Sequence, residues 1–428
     1  MIADVQTIHP TQVGGKAQVP SSKSLCHRAI LAAALAEGES QIHSVSFSED
    51  IEATLDVVRA LGAQITPIEQ GLHIKGIGGA KRMDAAQPLH IDCRESGSTL
   101  RFVVPILAAL GISATYTGKG RLGERPMDVY YQIFEKQNMQ YETAKGRLPL
   151  TVRSSLQAGD FVIDGGISSQ FITGLLMALP LLAQPSTLRI FHLQSRPYVD
   201  LTLEVLRLFG IVIHKEEQEE TLVLSIPGRQ RYHSACYTVE PDASQAAFWI
   251  AAGGIAAEKQ GLLIRHYTPE TVQGDKVFLD LFAALGGRFC HEAEGLRVFR
   301  SKLQGDQTVD VSQCPDLVPI MAVLGTYNQG RLHIVGAGRV RIKESDRLAA
   351  ISRELGRLGA QITEEPEGLW VHAAALHGGT VESWNDHRIA MALGVAALGA
   401  QGPVYIQGAG SAAKSWPSFW DDFKQIMR

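Results

Sequence analysis

Leu203-Glu204-Val205-Leu206-Arg207-Leu208-Phe209-Gly210 decides the fold, because the chain repeats it. Leu55-Asp56-Val57-Val58-Arg59-Ala60-Leu61-Gly62 and Leu279-Asp280-Leu281-Phe282-Ala283-Ala284-Leu285-Gly286 follow the same pattern, and Ile351 to Gly359 is a fourth copy. Each reads as an amphipathic helix. The closing Gly stands where a helix C-cap takes the left-handed conformation. A further copy ends at Asn138 instead, the next most tolerant residue there. After each cap come two strand-like runs around a turn, such as Gln64-Ile65-Thr66 and Leu72-His73-Ile74.

Upstream of each copy lies a second helix with a polar opening. The six openings are Ser22-Lys23-Ser24, Ser96-Gly97-Ser98-Thr99, Ser168-Ser169-Gln170, Asp242-Ala243-Ser244, Pro315-Asp316 and Asn385-Asp386-His387-Arg388. From Ser22 through Ser96, Ser168, Asp242 and Asp316 to Asp386 the steps are 74, 72, 74, 74 and 70 residues. That period is too long for a common solenoid repeat, so each unit reads as a small subdomain. The helices that follow, such as Phe102 to Leu110, Ala246 to Ile255 and Ile389 to Leu398, are apolar on nearly all faces and are expected to be buried. Ser, Asp and Asn before an apolar run are N-caps. Helix N-termini present free N–H groups and positive partial charge, so several facing one cleft would receive phosphates and carboxylates.

The sixth unit's second helix, Phe419 to Met427, ends the chain without a strand pair, whereas the chain begins with an unclaimed pair, Val5 to Ile8 and Ala17 to Val19. The N-terminal segment is therefore predicted to complete the sixth unit. One domain would be discontinuous, residues 1–20 and 241–428, and the other would be 21–240. Each would hold three units, and the cleft between them is the expected ligand site.

The chain has 428 residues, 45% apolar and 20% charged, with a net charge of −4. Its length suggests two to three domains, and its balance of charge does not suggest a nucleic-acid binder. Five dispersed cysteines without a C-x-x-C pair suggest reduced thiols in a cytoplasmic protein. Met1 to Gly14 lacks the pattern of a signal peptide, and the apolar stretch Ile172 to Ala183 is too short to span a bilayer and is broken by Gly174 and Pro180. There is no H-E-x-x-H or other strong metal pattern, and with no Walker A loop and no G-x-G-x-x-G after a strand a nucleotide cofactor has little support.

Cationic and hydroxyl side chains cluster at the openings. Lys23 and Arg28, among Ser22 and Ser24, suit a phosphate, Lys as a point charge and Arg as a fork. Ser168, Ser169 and Gln170 offer uncharged hydrogen-bonding groups, or only caps. Ser195-Arg196-Pro197-Tyr198-Val199-Asp200 reads plainly as a loop held by an Arg–Asp pair. Asp316 is either a cap or an acceptor of a substrate's hydroxyl proton. In Arg341-Ile342-Lys343-Glu344-Ser345-Asp346-Arg347, the residues Lys343, Glu344 and Arg347 fit one helix turn, with Lys343 and Arg347 on one face. Burial could adapt Glu344 to acid work. Asp386 could orient a neighbouring cation, while Arg388 and Lys414 add positive charge.

In order and over almost the whole chain, these motifs resemble the EPSP synthase family; Gly123-Glu124-Arg125-Pro126-Met127 and Ser96 to Arg101 belong to the same set. The resemblance implies an α/β fold, a two-domain inside-out α/β barrel with three βαβαββ units per domain, buried helices and outer sheets. It implies transfer of the enolpyruvyl group of phosphoenolpyruvate to the 5-hydroxyl of shikimate 3-phosphate, without a cofactor. Lys23, Gly97, Arg125, Gln170, Arg347, Arg388 and Lys414 would bind or border phosphoenolpyruvate. Lys23, Ser24, Arg28, Ser168, Ser169, Gln170, Ser195, Tyr198, Asp316 and Lys343 would bind shikimate 3-phosphate. Lys23, Asp316 and Glu344 would be catalytic, Asp316 taking the hydroxyl proton and Glu344 protonating the methylene carbon. A monomer that glyphosate inhibits, with no nucleic-acid or membrane partner, completes the expectation. Arg94 and Glu95 stand near positions where better-known members have Gly and Asn, and Arg339 replaces an Asn that some members use on the substrate phosphate. The alternatives are the sister transferase acting on UDP-N-acetylglucosamine, whose reactive Cys is Gly120 here, and a non-catalytic anion-binding protein on the same fold.

Overall fold

The computed structural model describes residues 4–78, 87–267 and 269–428. The first three residues of the stretch examined for a signal peptide lie outside them. Twelve α-helices among the described residues run in pairs. The pairs are α1 (Lys23–Leu35) with α2 (Glu49–Ala60), α3 (Gly97–Ala109) with α4 (Asp128–Lys136), and α5 (Ser169–Ala178) with α6 (Arg196–Leu208). They continue as α7 (Ala243–Ala256) with α8 (Val277–Ala284), α9 (Val318–Thr326) with α10 (Arg347–Arg357), and α11 (His387–Ala397) with α12 (Phe419–Ile426).

The first helix of each pair is interior. Every residue of α7, α9 and α11 is buried, as is nearly all of α1, α3 and α5. The second helices bury a stripe only, in α10 Leu348, Ala350, Ile351, Glu354 and Leu355 beside Arg347. The predicted caps form at Gly62, Gly210, Gly286, Gly359 and Asn138, all at positive φ. Four openings cap their helices: Ser96, Ser168, Asp242 and Asp386 each accept a backbone N–H two or three residues on. Ser22 makes no such bond, and Asp316 lies inside a short 3₁₀ turn, Pro315–Leu317, rather than at a cap.

The sheets lie outside the helices, one per unit. In the fifth, Gln307–Asp310 runs parallel to Arg331–Val335, which pairs antiparallel with Gly368–His372, which pairs back onto Gln361–Glu365. The parallel pair is joined through a buried helix, as a parallel connection requires. The sixth sheet has three strands, with Val5–Ile8 antiparallel to Val404–Gln407. Here one expectation needs correction. The N-terminal pair does not complete the sixth unit together. Its second strand is Val13–Ala17, and it joins the fourth unit's sheet, parallel to Ala257–Arg265. Cys236–Thr238 likewise joins the first unit's sheet, beside Glu39–His43. At both crossings the strand stays with one unit while the following helix enters the other. Strand pattern alone names no partner, which is why adjacency in sequence misled.

The chain divides into two compact units. One joins the segment ending at Pro20 to Pro241–Arg428, and the other is Ser21–Glu240. Each has its own core. Trp249, Trp416, Phe419 and Phe423 form an aromatic cluster in the first, and Tyr130 packs edge-on against Phe171 in the second. No helix among the described residues is long and apolar enough to cross a membrane.

Candidate active site

In the Ser21–Glu240 unit, polar side chains tie together the N-terminal turns of α1, α3 and α5. Lys23, the first residue of α1, sets its ammonium 2.7 Å from Asp50 on α2. A buried chain of hydroxyls runs from His27 Nδ1 to Thr54 (2.7 Å), from Thr54 to Thr99 (2.8 Å), and from Thr99 to Ser96 (2.8 Å). Burial, reinforced by Lys23 and Arg28, holds His27 well below its ordinary pKa, so it is neutral at pH 7. Arg28 is buried, with Phe102 under its guanidinium. It donates to Thr202 Oγ1 (2.8 Å), Thr173 Oγ1 (3.1 Å), and the carbonyls of Ser24 (2.6 Å) and Tyr198 (3.0 Å). Burial lowers its pKa to about 10, which leaves it charged at neutral pH. Arg28 thus fastens α1 to α5 and α6 and brings Ser24 and Tyr198 to its side. Ser195 is buried at positive φ and accepts the Tyr198 N–H at 3.0 Å.

Gly97, Arg125 and Gln170 meet in the same unit. A Cβ placed on Gly97 would stand 2.5 Å from an Arg125 guanidinium nitrogen and 3.5 Å from Gln170 Oε1. Gln170 is fixed at both ends of its amide, accepting from Arg101 at 2.8 Å and donating to Ser98 Oγ at 2.9 Å. Its backbone N–H is capped by Ser168, and buried Ser169 precedes it.

In the other unit, Arg347 is the hub. It is 1% exposed and donates to three carboxylates: Asp316 (2.8 Å), Glu344 (2.8 Å) and Asp386 (2.8 Å). Arg388 reaches the second oxygen of Asp316 at 3.0 Å and Ser244 Oγ at 3.2 Å, while Lys343 stands 3.7 Å from Asp316. Burial pushes the Asp316 carboxyl up, but Arg388, Lys343 and Arg347 together pull it well below the usual carboxylate range. Burial lowers the Lys343 ammonium to about 8, opposed by Asp316 and assisted by Arg347. Lys414 donates to the Asn385 carbonyl at 2.7 Å. The openings of α7, α9 and α11 therefore converge through Ser244, Asp316 and Arg388.

One local prediction fails. Lys343, Glu344 and Arg347 do not share a helix turn, because α10 begins at Arg347 and Lys343 is extended. Asp346 is the cap. Its carboxylate accepts the Ala349 N–H at 3.1 Å and is gripped by Arg341, which starts the helix after it. Asp386 does orient a cation, Arg347. The sequence reading missed the partners Asp50, Thr173 and Thr202, and it gave Arg101 no role beside Gln170. It also missed Glu354, fully buried on α10, which accepts from Trp384 Nε1 (2.8 Å) and the Glu382 N–H (3.0 Å). Glu354 thereby braces the positive-φ pair Trp384-Asn385 that leads into Asp386.

The family model of EPSP synthase (3-phosphoshikimate 1-carboxyvinyltransferase) matches residues 8–423. The chain belongs to the EPSP synthase family. Curated relatives named 3-phosphoshikimate 1-carboxyvinyltransferase include those of Clostridium kluyveri and Clostridium acetobutylicum, each 42% identical, with 98% of this chain and 96% of the relative aligned. A solved EPSP synthase from Acinetobacter baumannii superposes with a TM-score of 0.80 at 24% identity, covering 99% of this chain and 98% of that one. The enolpyruvyl transferase NikO from Streptomyces tendae reaches 0.79 at 20% identity, covering 99% and 97%. These likenesses agree with the inside-out two-domain fold. Against the EPSP synthase pattern, the departures are local. Arg94 turns to Asp56, Glu95 has its carboxylate against Gly120, and Arg339 donates to the Ser312 carbonyl.

Proposed function

We propose that this chain transfers the enolpyruvyl group of phosphoenolpyruvate to the 5-hydroxyl of shikimate 3-phosphate, releasing phosphate. The observation that carries the mechanism is that Asp316 and Glu344, the proposed base and acid, are bound to one buried guanidinium, Arg347. Glu344 gives a proton to the methylene carbon of phosphoenolpyruvate, and the adjacent carbon becomes oxocarbenium-like. The 5-hydroxyl oxygen attacks that carbon, and its proton passes to Asp316. The tetrahedral ketal then returns a proton from its methyl group to Glu344 as the carbon–phosphate oxygen bond breaks, and the proton held by Asp316 passes to the leaving phosphate. This chemistry needs placed acid and base groups.

Lys23, Arg125, Gln170, Arg347, Arg388 and Lys414 take phosphoenolpyruvate in this reading, with Gly97 beside Arg125 and Gln170. Lys23, Ser24, Arg28, Ser168, Ser169, Gln170, Ser195, Tyr198, Asp316 and Lys343 take shikimate 3-phosphate. Asp316 clamped by two arginines is a weak base. Substrate carboxylate drawing Arg347 and Arg388 away would raise its basicity when the hydroxyl arrives. The reading includes a cytoplasmic monomer, and the five free thiols, two of them exposed, are what favour the cytoplasm.

The test is phosphate release from phosphoenolpyruvate, with shikimate 3-phosphate or UDP-N-acetylglucosamine as acceptor. Release only with the former is expected. Release only with the sugar nucleotide identifies the sister transferase, and release with neither from folded protein identifies an anion-binding scaffold.

Two further results are expected. Gly97→Ala forces the Arg125 guanidinium aside, and because the clash is with the end of a flexible side chain the fold survives. Weakening one charge-assisted contact of about 1.5–3 kcal/mol raises the KM for phosphoenolpyruvate roughly tenfold or more. Glyphosate, which we expect to inhibit the parent enzyme there, loses affinity in parallel. An unchanged KM and inhibition constant would remove Gly97 from the pocket.

Lys343 gives a pH dependence with a definite sign. Its ammonium, lowered to about 8, loses its charge as pH rises through 8. The KM for shikimate 3-phosphate should therefore climb above pH 8, by up to about tenfold per unit for a contact made only by the charged form. Lys343→Arg should flatten the profile between pH 7 and 9.5, since Arg stays charged. A profile identical in both proteins would show that Lys343 does not contact the anion.

A further inference from the structure

The unit that joins the segment ending at Pro20 to Pro241–Arg428 has a cationic cavity, of about 700 Å³, between the fourth and fifth repeats. It shares no residue with the Arg347 cluster. Its floor is Gly254, Ile255 and Leu303 with Tyr327, and Arg288, Arg300 and Lys302 line it. All three cations are exposed, and among the described residues none has a carboxylate within ion-pair distance. Arg288 lies over the Phe299 ring. Two other cations on the same sheet are paired, Arg297 with Glu292 and Lys16 with Glu294, while Lys259 and Arg265 have no ion pair among the described residues.

The repeat shows that the scaffold does not require this charge. The Ser301 N–H donates to the Gly254 carbonyl, as the Ala374 N–H donates to the Thr326 carbonyl one unit on. The Gln304 N–H meets the Leu285 carbonyl, as the His377 N–H meets that of Leu358. Arg288 pairs with Phe299 in its ladder where Gln361 pairs with His372. Backbone equivalence therefore sets Gln361, Ala373 and Ala375 at the positions of Arg288, Arg300 and Lys302, and all three are exposed. The equivalent positions, held by the same backbone hydrogen bonds, carry no charge in the fifth unit. The volume is that of a small-molecule site, and three unneutralised cations lining it suit an anion of two or more charges.

We propose that this cavity is a second anion site, separate from the catalytic clusters, for a small polyanion bearing phosphate or carboxylate groups. The test is calorimetric titration of the full chain with pyrophosphate and, separately, with citrate. It compares the parent with a variant carrying the fifth unit's own residues, Arg288→Gln, Arg300→Ala and Lys302→Ala. Binding at the catalytic clusters is common to both proteins, so the difference isolates the cavity. The parent is expected to bind one more equivalent than the variant, of pyrophosphate if the natural ligand is a phosphate and of citrate if it is a carboxylate. Turnover without added anion should match. Lys302→Ala alone, which asks least of the fold, should weaken that equivalent about tenfold, the effect of one charge-assisted contact. Equal stoichiometry and affinity for both probes in parent and variants would overturn the proposal.

Discussion

Glu344→Gln is expected to lower kcat by about 10²–10⁴-fold, the usual contribution of a placed general acid, while leaving both substrates bound. The amide oxygen of Gln can still accept from Arg347, so the guanidinium that also holds Asp316 and Asp386 keeps its place. Lost binding is then small, and the KM values should stay within a few-fold of the parent. The amide cannot supply a proton to carbon, so the loss should fall on the chemical step. Single-turnover phosphate release together with calorimetric binding of shikimate 3-phosphate separates the two effects. A kcat within tenfold of the parent would show that the proton comes from elsewhere. A large rise in KM with kcat intact would make Glu344 a positioning residue for Arg347.

The division between what the sequence revealed and what it concealed follows the range of the interactions. Helix termini are local events. Gly62, Gly210, Gly286, Gly359 and Asn138 could be read because a left-handed cap is a property of one residue, and the openings at Ser96, Ser168, Asp242 and Asp386 because a cap needs only a backbone N–H two or three positions on. Strand pairing is not local. Nothing in Val13–Ala17 states that its neighbour is Ala257–Arg265. The same holds for the site. Lys23, Arg28, Arg347 and Arg388 stand out as cations at helix starts. Their partners Asp50, Thr202, Asp386 and Asp316 lie 27, 174, 39 and 72 positions away, and residue type alone does not link them. Where local rules competed, the stronger cap decided. Asp346 starts α10 and leaves Lys343 and Glu344 outside the helix, although their spacing from Arg347 had suggested one helical turn.

Arg347→Ala should damage both stability and function, for a reason that pH can expose. The guanidinium is the charge partner of Asp386, which is 0% exposed, and removing one member of a buried pair costs about 3–5 kcal/mol. At about 2–4 °C per kcal/mol for a unit of this size, Tm should fall by roughly 10 °C at pH 7. Burial already pushes the Asp386 carboxyl up, and Arg347 overcomes it, so the native pKa lies below the usual value. Stability from that pair is present above the unfolded carboxylate's pKa and is lost as pH falls through the folded one. Without Arg347, burial prevails and the folded pKa rises above the unfolded one. The variant then gains stability on acidification, as Asp386 becomes neutral. The gap in Tm between parent and variant should therefore narrow from pH 7 toward pH 4.5. A constant gap would assign the loss to the missing side-chain volume, and a Tm within 2 °C of the parent would show that Asp386 finds another partner. Arg347→Lys should recover part of the stability but little of the activity, because one ammonium cannot fork to Asp316, Glu344 and a substrate carboxylate. The kcat/KM for phosphoenolpyruvate should fall at least about 100-fold in both variants, the cost of two charge-assisted hydrogen bonds.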